Sequence, residues 1–241
     1  MSPTDDEKVE RAVDRHPHLA RPTRDGWVRV DMHSHTMWSG DSTTTPDEIE
    51  AAVVDSGIDV LCITDHNAVA GAVELAERLP CRVVVGEEVR TQLGEIIGLF
   101  LSERIPGGIG PAEVARRIRD QGGVVYVPHP FDPMRAHLKD WVIDELVAEG
   151  LVDAIEARNG KTSLEHLNRQ AAEYAAAHGL LAGAGSDAHV PDALGAVYVE
   201  MPDFDGPTEF LASLAEGEIV GHHFDRHRPW TPRIVPSVSS G

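Results

Sequence analysis

Short apolar runs recur along the chain at Val28–Met32, Asp59–Ile63, Arg82–Gly86, Ile96–Leu101, Val124–Pro128, Ala154–Glu156 and Leu180–Ala184, with a further one at Ala196–Met201. Runs of this kind, bounded by turn residues, predict strands. Between them apolar residues return every three or four positions, which predicts helices near 46–56, 68–79, 111–121, 138–149, 163–178 and 207–216. The helix boundaries are marked. Thr45, followed by Pro46 and by Glu48 three positions on, forms a capping box, and Gly57 supplies the stop. Pro111 opens another helix that Gly122 closes, and Gly179 and Gly217 end two more. Strands alternating with helices predict an α/β fold on a parallel sheet, either closed as a barrel or open and doubly wound. Residues 1–25 are charged and lack a clear period, so they read as a loose arm in which His16 and His18 are exposed. Residues 26–230 then form a single domain, and 231–241 a tail.

Composition narrows the partners. The chain has 241 residues, of which 41% are hydrophobic and 25% charged, enough to bury a sizeable core. Its formal net charge is −19. An acidic surface repels nucleic-acid backbones and anionic membranes, so neither a long nucleic acid nor a membrane is expected as partner. A small anionic substrate fits only where bound cations reverse the local field. Cys62 and Cys81, the only cysteines, form no disulfide framework and read as reduced, as in a cytoplasmic protein. No stretch approaches the roughly 20 apolar residues that cross a membrane, and the N-terminus shows no apolar signal segment.

The chemistry lies at the strand ends. His33 and His35 follow the first strand, Asp65 and His66 the second, Glu88 the third; His129 and Glu156 end later strands, and Asp187 and His189 follow the last core strand. In a parallel barrel all C-terminal strand ends open on one face, so residues about 30 apart in sequence converge there. Imidazole and carboxylate together suit Zn, Mn or Fe. His33 and His35 stand two apart in an extended segment and therefore point to the same side, where both rings can reach one ion. Separate positions, each exposed at the surface or hydrogen-bonded in the core and apart from any cluster, are the expectation for His16, His18, His178, His222, His223 and His227. Asp65 can either orient a ligand from beside His66 or cap the following helix. Glu156 can line the pocket or pair with a nearby cation.

The ordered pieces DMHSHT (31–36), SGDSTTTPDEI (39–49), ITDHN (63–67), GEEV (86–89), EIIGLF (95–100), HPF (129–131) and SDAH (186–189) resemble the polymerase and histidinol phosphatase (PHP) family, from about Val30 to about Ala196. The resemblance implies a distorted (β/α)7 barrel with two or three divalent metal ions (Zn, Mn or Fe) at the C-terminal ends of its strands. It implies that His33, His35, Glu88 and Asp187 bind one ion, that Glu88 bridges to a second held also by His129, and that Asp41, His66 and His189 hold a third. One position departs from the pattern: relatives often carry histidine where this chain has Glu95, which either ligates as a carboxylate or leaves the second site weak.

Metal-activated hydroxide bridging two ions can attack phosphorus in line with the leaving oxygen, and phosphoryl transfer needs little beyond positioning and charge. A guanidinium grips phosphate well, which points first to Arg135, then to Arg158 and Lys161. His137 or His222 could protonate a leaving group. The expected function is hydrolysis of a small phosphorylated metabolite or nucleotide. C–N bond hydrolysis of the amidohydrolase type, with Lys161 as the only interior lysine near a strand end, and a non-catalytic metal- or phosphate-binding module are the alternatives.

Overall fold

The structure, a computed structural model, describes residues 10–226. Its centre is one mixed sheet. The strands are β1 (Trp27–Ser34), β2 (Val60–Ile63), β3 (Arg82–Arg90), β4 (Glu95–Leu99), β5 (Val124–Val127), β6 (Ala154–Asn159), β7 (Leu181–Gly185), β8 (Val197–Pro202) and β9 (Glu218–Gly221). Their order across the sheet is β7-β6-β5-β4-β3-β2-β1-β8-β9. The helices of at least seven residues are α2 (Pro46–Ser56), α3 (Ala70–Ala76), α4 (Pro111–Asp120), α5 (Asp140–Ala148), α6 (Glu165–His178) and α7 (Gly206–Leu214); a four-residue α1 (Ala12–Arg15) precedes them.

The sheet curls into a nearly closed barrel, and β1 explains how. Its first half, Trp27 to Val30, pairs antiparallel with β8 from Pro202 to Val199. Its second half instead meets the segment after β7. There Asp187 N donates to His33 O at 2.8 Å, His35 N donates to Ala188 O at 2.9 Å, and Ser186 N donates to the Asp31 carboxylate at 2.9 Å. Gly185 makes the approach possible, since a Cβ there would lie 2.6 Å from His33 N. One apolar cluster draws Val30 and Met32 from β1, Cys62 from β2, Val84 from β3, Leu99 from β4, Tyr126 from β5, Ala154 from β6, Ala184 from β7 and Phe210 from α7. Residues from all these strands can touch one another only across a shared interior, so this cluster is the filling of the barrel. Two further clusters cover the outside, one under α4 and α5 and one under α2 and α3.

The α/β barrel expectation holds, but the sheet is not uniformly parallel. β3 and β4 are antiparallel, with Arg90 opposite Glu95, and β4 and β5 are antiparallel as well. Four residues separate β3 from β4. A parallel return needs a crossover of a dozen or more, so this connection can only be a hairpin. β8 is antiparallel to β1, and β9, a short edge strand, was not expected from the pattern. The capping box at Thr45 and Glu48 is present, with Thr45 N donating to the Glu48 carboxylate at 2.9 Å, and Gly57 ends α2 at a φ of 66°.

Residues 10–25 are not a loose arm. Ala12, His16 and Leu19 are buried, and Ala12 and Leu19 join the cluster under α2 and α3. The expectation that His16 is exposed is wrong: it is fully buried, with Nε2 donating to Asp192 O at 2.8 Å and its ring 5.1 Å from that of His222. His18 is likewise tied down, through Nε2 to Gly195 O. The signal was hidden because the arm's few apolar residues are too sparse to show a period. His227 and the tail at 231–241 lie outside the described residues. Neither cysteine is disulfide-bonded, and among the described residues no helix is long and apolar enough to cross a membrane.

Candidate metal centre

The site is built at the end of the barrel where β1, β2, β3, β5, β6 and β7 finish. Being antiparallel, β4 begins at that same end, and for this reason Glu95, its first residue, arrives beside Glu88 rather than at the opposite rim. β1 delivers His33 and His35, whose Nε2 atoms face each other at 3.0 Å. The loop after β1 brings Asp41, the exit of β2 brings His66, β3 brings Glu88, the exit of β5 brings His129, and the turn after β7 brings Asp187 and His189. His129 and Asp187 hold left-handed backbone conformations, with φ of 28° and 51°. Strain of this kind in side chains larger than glycine concentrates at functional sites.

Glu88 stands at the middle. Its Oε2 lies 3.4 Å from His33 Nε2, 3.2 Å from His35 Nε2 and 3.2 Å from His66 Nδ1, and its Oε1 lies 2.9 Å from His129 Nε2. Asp187 Oδ1 is 3.4 Å from His35 Nε2 and 3.3 Å from His189 Nδ1. Asp41 closes the outer side, 3.1 Å from His66 and 3.6 Å from His189. Glu95 Oε1 is 3.4 Å from His66 Nδ1 and accepts from Arg90 Nε at 3.1 Å. Four groups of donor atoms each fall within 4.8 Å of one another: His35, Asp41, His66 and His189; His33, His129 and Asp187; His33, His35 and Glu88; and His66, Glu88 and Glu95.

The electrostatics are those of a cation site. Burial alone would lower every imidazole, but at His33 the carboxylates of Glu156, Asp187 and Glu88 outweigh it and raise the ring well above its ordinary value. His66 and His129 are raised too, against burial, chiefly by Glu88. His35 is pushed down to about 4, because burial is reinforced by His189 and His66. Burial pulls Glu88 and Asp187 upward, yet His33 with His66, and for Asp187 Lys161 with His33, hold both well below the carboxylate range. Glu95 is raised by burial and by the charge of Glu88. Around Glu88 and Asp187, carboxylates and facing imidazole nitrogens are thus packed together away from water, with Asp41 exposed on the outer side, an arrangement whose cost a divalent cation would remove. The Nδ1 atom of His129 is buried without a hydrogen-bond partner, and that of His66, although close to Glu88 and Glu95, is aligned for a hydrogen bond with neither. The donor set therefore fits divalent metal ions.

The other expected residues fall elsewhere in the scheme. Glu156 is fully buried behind the cluster, accepting from His33 Nδ1 at 3.1 Å and from His129 N at 2.6 Å. Asp65 neither faces the cluster nor caps α3: its carboxylate accepts from Thr36 N and Thr36 Oγ1, both at 2.6 Å, fixing the exit of β1 just past His35. Burial raises it to about 6. A cavity of about 320 Å³ opens onto the cluster, and Arg135, Lys161 and Arg90 line it. Arg158 is instead paired with Glu165 on α6. His137 turns Nδ1 toward Arg135 O, and His222 packs against His16 and His18, away from the cavity lining.

Two contributors escaped the sequence reading. Arg90 stands two residues beyond Glu88 on β3 and so on the same face, a period-2 relation that could have identified it. Asn159 donates to Glu156 at 2.9 Å and to Asp187 at 3.3 Å. It reaches that side because the pairing of β6 with β7 shifts register between Glu156 and Arg158, an irregularity with no sequence signal here.

The PHP domain family matches residues 31–123 and the PHP-associated family matches 165–219. An uncharacterised protein of Methanocaldococcus jannaschii is 34% identical over 196 residues, which is 78% of this chain and 79% of its own. The chain belongs to the PHP family. A two-domain protein of Bacteroides vulgatus, described as containing a predicted PHP-like metal-dependent phosphoesterase, superposes with a TM-score of 0.66 at 20% identity, over 83% of this chain and 67% of its own. A lesion-specific endonuclease of Pyrococcus furiosus superposes with a TM-score of 0.60 at 15% identity, over 80% of this chain and 57% of its own. These two likenesses concern the PHP fold.

Proposed function

We propose that this PHP protein is a metal-dependent phosphoesterase acting on a small phosphorylated metabolite or nucleotide. The observation that carries the reading is the cavity itself. In a chain of net charge −19, the wall over a nest of imidazoles and carboxylates carries Arg90, Arg135 and Lys161. Cations set beside a cation-binding nest are wasted on a neutral substrate and suit a phosphoryl group.

His33, His35, Glu88 and Asp187 would hold one ion, Glu88 and His129 a second with Glu95 beside them, and Asp41, His66 and His189 a third. When bound, such ions lower the pKa of coordinated water and neutralise phosphoryl oxygens. The chain's own residues do the rest. Glu156 holds the His33 ring with Nε2 facing the nest, and Asn159 ties Glu156 to Asp187. Thr36, gripped by Asp65, sets the exit of β1. Arg135 and Lys161 orient the phosphoryl oxygens, and Met134, 81% exposed at the mouth, borders the leaving group.

The test is metal analysis of the purified protein with a phosphate-release screen of nucleotides, sugar phosphates and short oligonucleotides, with amides as the contrasting class. The expected result is at least two ions per chain and release from a small ester. A fully loaded protein that releases no phosphate from any ester, or that turns over amides instead, overturns the reading. His33→Ala is expected to abolish turnover while the protein stays folded by circular dichroism.

A further inference from the structure

Lys161 is held at the cavity by a device outside the metal centre. Its Nζ lies 3.1 Å from His189 Nδ1 and 3.8 Å from Asp187 Oδ1, and its side chain is only 13% exposed. The residue before it is Gly160, whose carbonyl accepts two hydrogen bonds from the segment after β9: one from Phe224 N at 2.9 Å and one from His223 Nδ1 at 2.9 Å. On its other side Gly160 N donates to Gly185 O at 2.9 Å, and a Cβ on Gly160 would lie 2.7 Å from Ser186 O. The peptide that precedes Lys161 is therefore wedged between the turn bearing Asp187 and the residues at 222–224. The same strap reaches the other loop of the site, because Phe224 packs against the cluster of Ala188, Val190 and Ala193, of which Ala188 lies between Asp187 and His189.

The strap is clamped in turn by the N-terminal arm. His222 N donates to Ala196 O at 3.0 Å, and His222 Nε2 meets His16 Nδ1 at 3.3 Å. The Phe224 ring stands edge-on to His16 with centroids 4.8 Å apart, and Arg226 pairs with Asp192. The PHP-associated match ends at residue 219, before this strap begins.

We propose that the strap at 222–224, locked by His16, positions Lys161 so that its ammonium reaches an anion at the metal centre. The proposal rests on the phosphoesterase reading only in taking a phosphate-like group as the anion. Without the two donors on its carbonyl, the Gly160–Lys161 peptide is held only by Lys161 N donating to Asn159 Oδ1 at 2.9 Å, and Lys161, on a flexible four-carbon stem, loses part of its aim.

The probe is inorganic phosphate, titrated calorimetrically into the metal-loaded protein. A charge-assisted contact of this kind corresponds to about tenfold in affinity, so Lys161→Met, His223→Ala and Phe224→Ala should each weaken phosphate by about that factor. His223→Asn, whose amide nitrogen replaces Nδ1, should restore it. Combined with Lys161→Met, the strap variants should add less than about twofold, because they act through that lysine. Amide exchange in the metal-free protein gives a readout independent of phosphate and metal: His223→Ala should speed exchange at 160–162 and leave β1 to β3 unchanged. Strap variants that bind phosphate like the parent, losses that add in full to that of Lys161→Met, or unchanged exchange at 160–162 would each overturn the proposal. If Lys161→Met itself has no effect on phosphate, the proposal also fails. The phosphate-release screen on the unaltered protein judges the phosphoesterase reading separately.

Discussion

Replacing Glu156 by Gln tests the logic of the centre through one hydrogen atom. Glu156 Oε2 accepts from two donors, His129 N at 2.6 Å and Asn159 Nδ2 at 2.9 Å, while Oε1 faces His33 Nδ1 at 3.1 Å. In Glu156→Gln the amide oxygen must take the Oε2 place, since an NH₂ there would confront two donors. The NH₂ group is then forced opposite His33 Nδ1. That nitrogen must give up its hydrogen to accept the bond, and the ring's hydrogen moves to Nε2, the atom that faces Glu88 and Asp187. A protonated Nε2 cannot coordinate. Loss of such a supporting contact typically costs 10–100-fold in metal affinity, about 1.4–2.8 kcal/mol. The shape of the side chain is unchanged, so the fold should persist. Competition titration with a chromogenic chelator, alongside thermal unfolding of the metal-free protein, measures both. Metal affinity within twofold of the parent would refute the reasoning, since His33 would then not depend on Glu156 for its tautomer.

Three other outcomes are expected. Glu95→Gln should lower the number of ions retained after dialysis by one, read by elemental analysis, because its carboxylate stands with His66 and Glu88 in one donor group; an unchanged count would remove Glu95 from the centre. Gly185→Ala should destabilise the protein by about 1–3 kcal/mol in denaturant unfolding, because the new methyl would collide with His33, and should weaken metal binding as well. Acid should destabilise the docked arm through His16. Burial lowers this ring from 6.5 to about 4, with His222, His18 and Arg15 reinforcing the shift against the Asp192 carbonyl. Below pH 6.5 the unfolded chain therefore binds the extra proton, and stability present above that pH is lost as pH falls toward 4. The ceiling is about 3 kcal/mol, reduced to about 2 by residual solvent screening. Urea unfolding of the parent and of His16→Gln at pH 7 and pH 4.5 should show a smaller pH dependence in the variant; equal dependence would acquit His16.

The sequence was most legible where chemistry and backbone coincide. His33 with His35 is an i, i+2 pair on a strand, and this relation survives folding as two Nε2 atoms 3.0 Å apart. Strand ends marked the rim, so His66, His129, Asp187 and His189 could be gathered without knowing the fold in detail. What failed to show was tertiary. Glu95 was named only through the family resemblance; that it reaches the rim because β4 runs backwards is carried by the short span from Thr91 to Gly94, which the strand pattern did not single out. Asn159 depends on a register shift, and the docked arm depends on His16, whose burial no period announces. Asp65 lies in a ligand-like motif, yet its carboxylate is taken up by Thr36 and does not line the cavity.

The divided edge of β1 makes the barrel wall a garment fastened by two different means. Along Trp27 to Val30 the stitching is a continuous ladder to β8; along the half that carries His33 and His35 it is a few bonds to the turn at 186–188. The groups proposed as ligands sit on opposite lips of that weaker opening, with His33 and His35 on one and Asp187 and His189 on the other. Ions shared between the lips would act as its clasp, so that filling the centre and closing the wall become one event. At a free metal concentration a hundredfold above the dissociation constant, the gain is about 2.7 kcal/mol. Stripping the ions should make the 186–189 turn the first part of the wall to part.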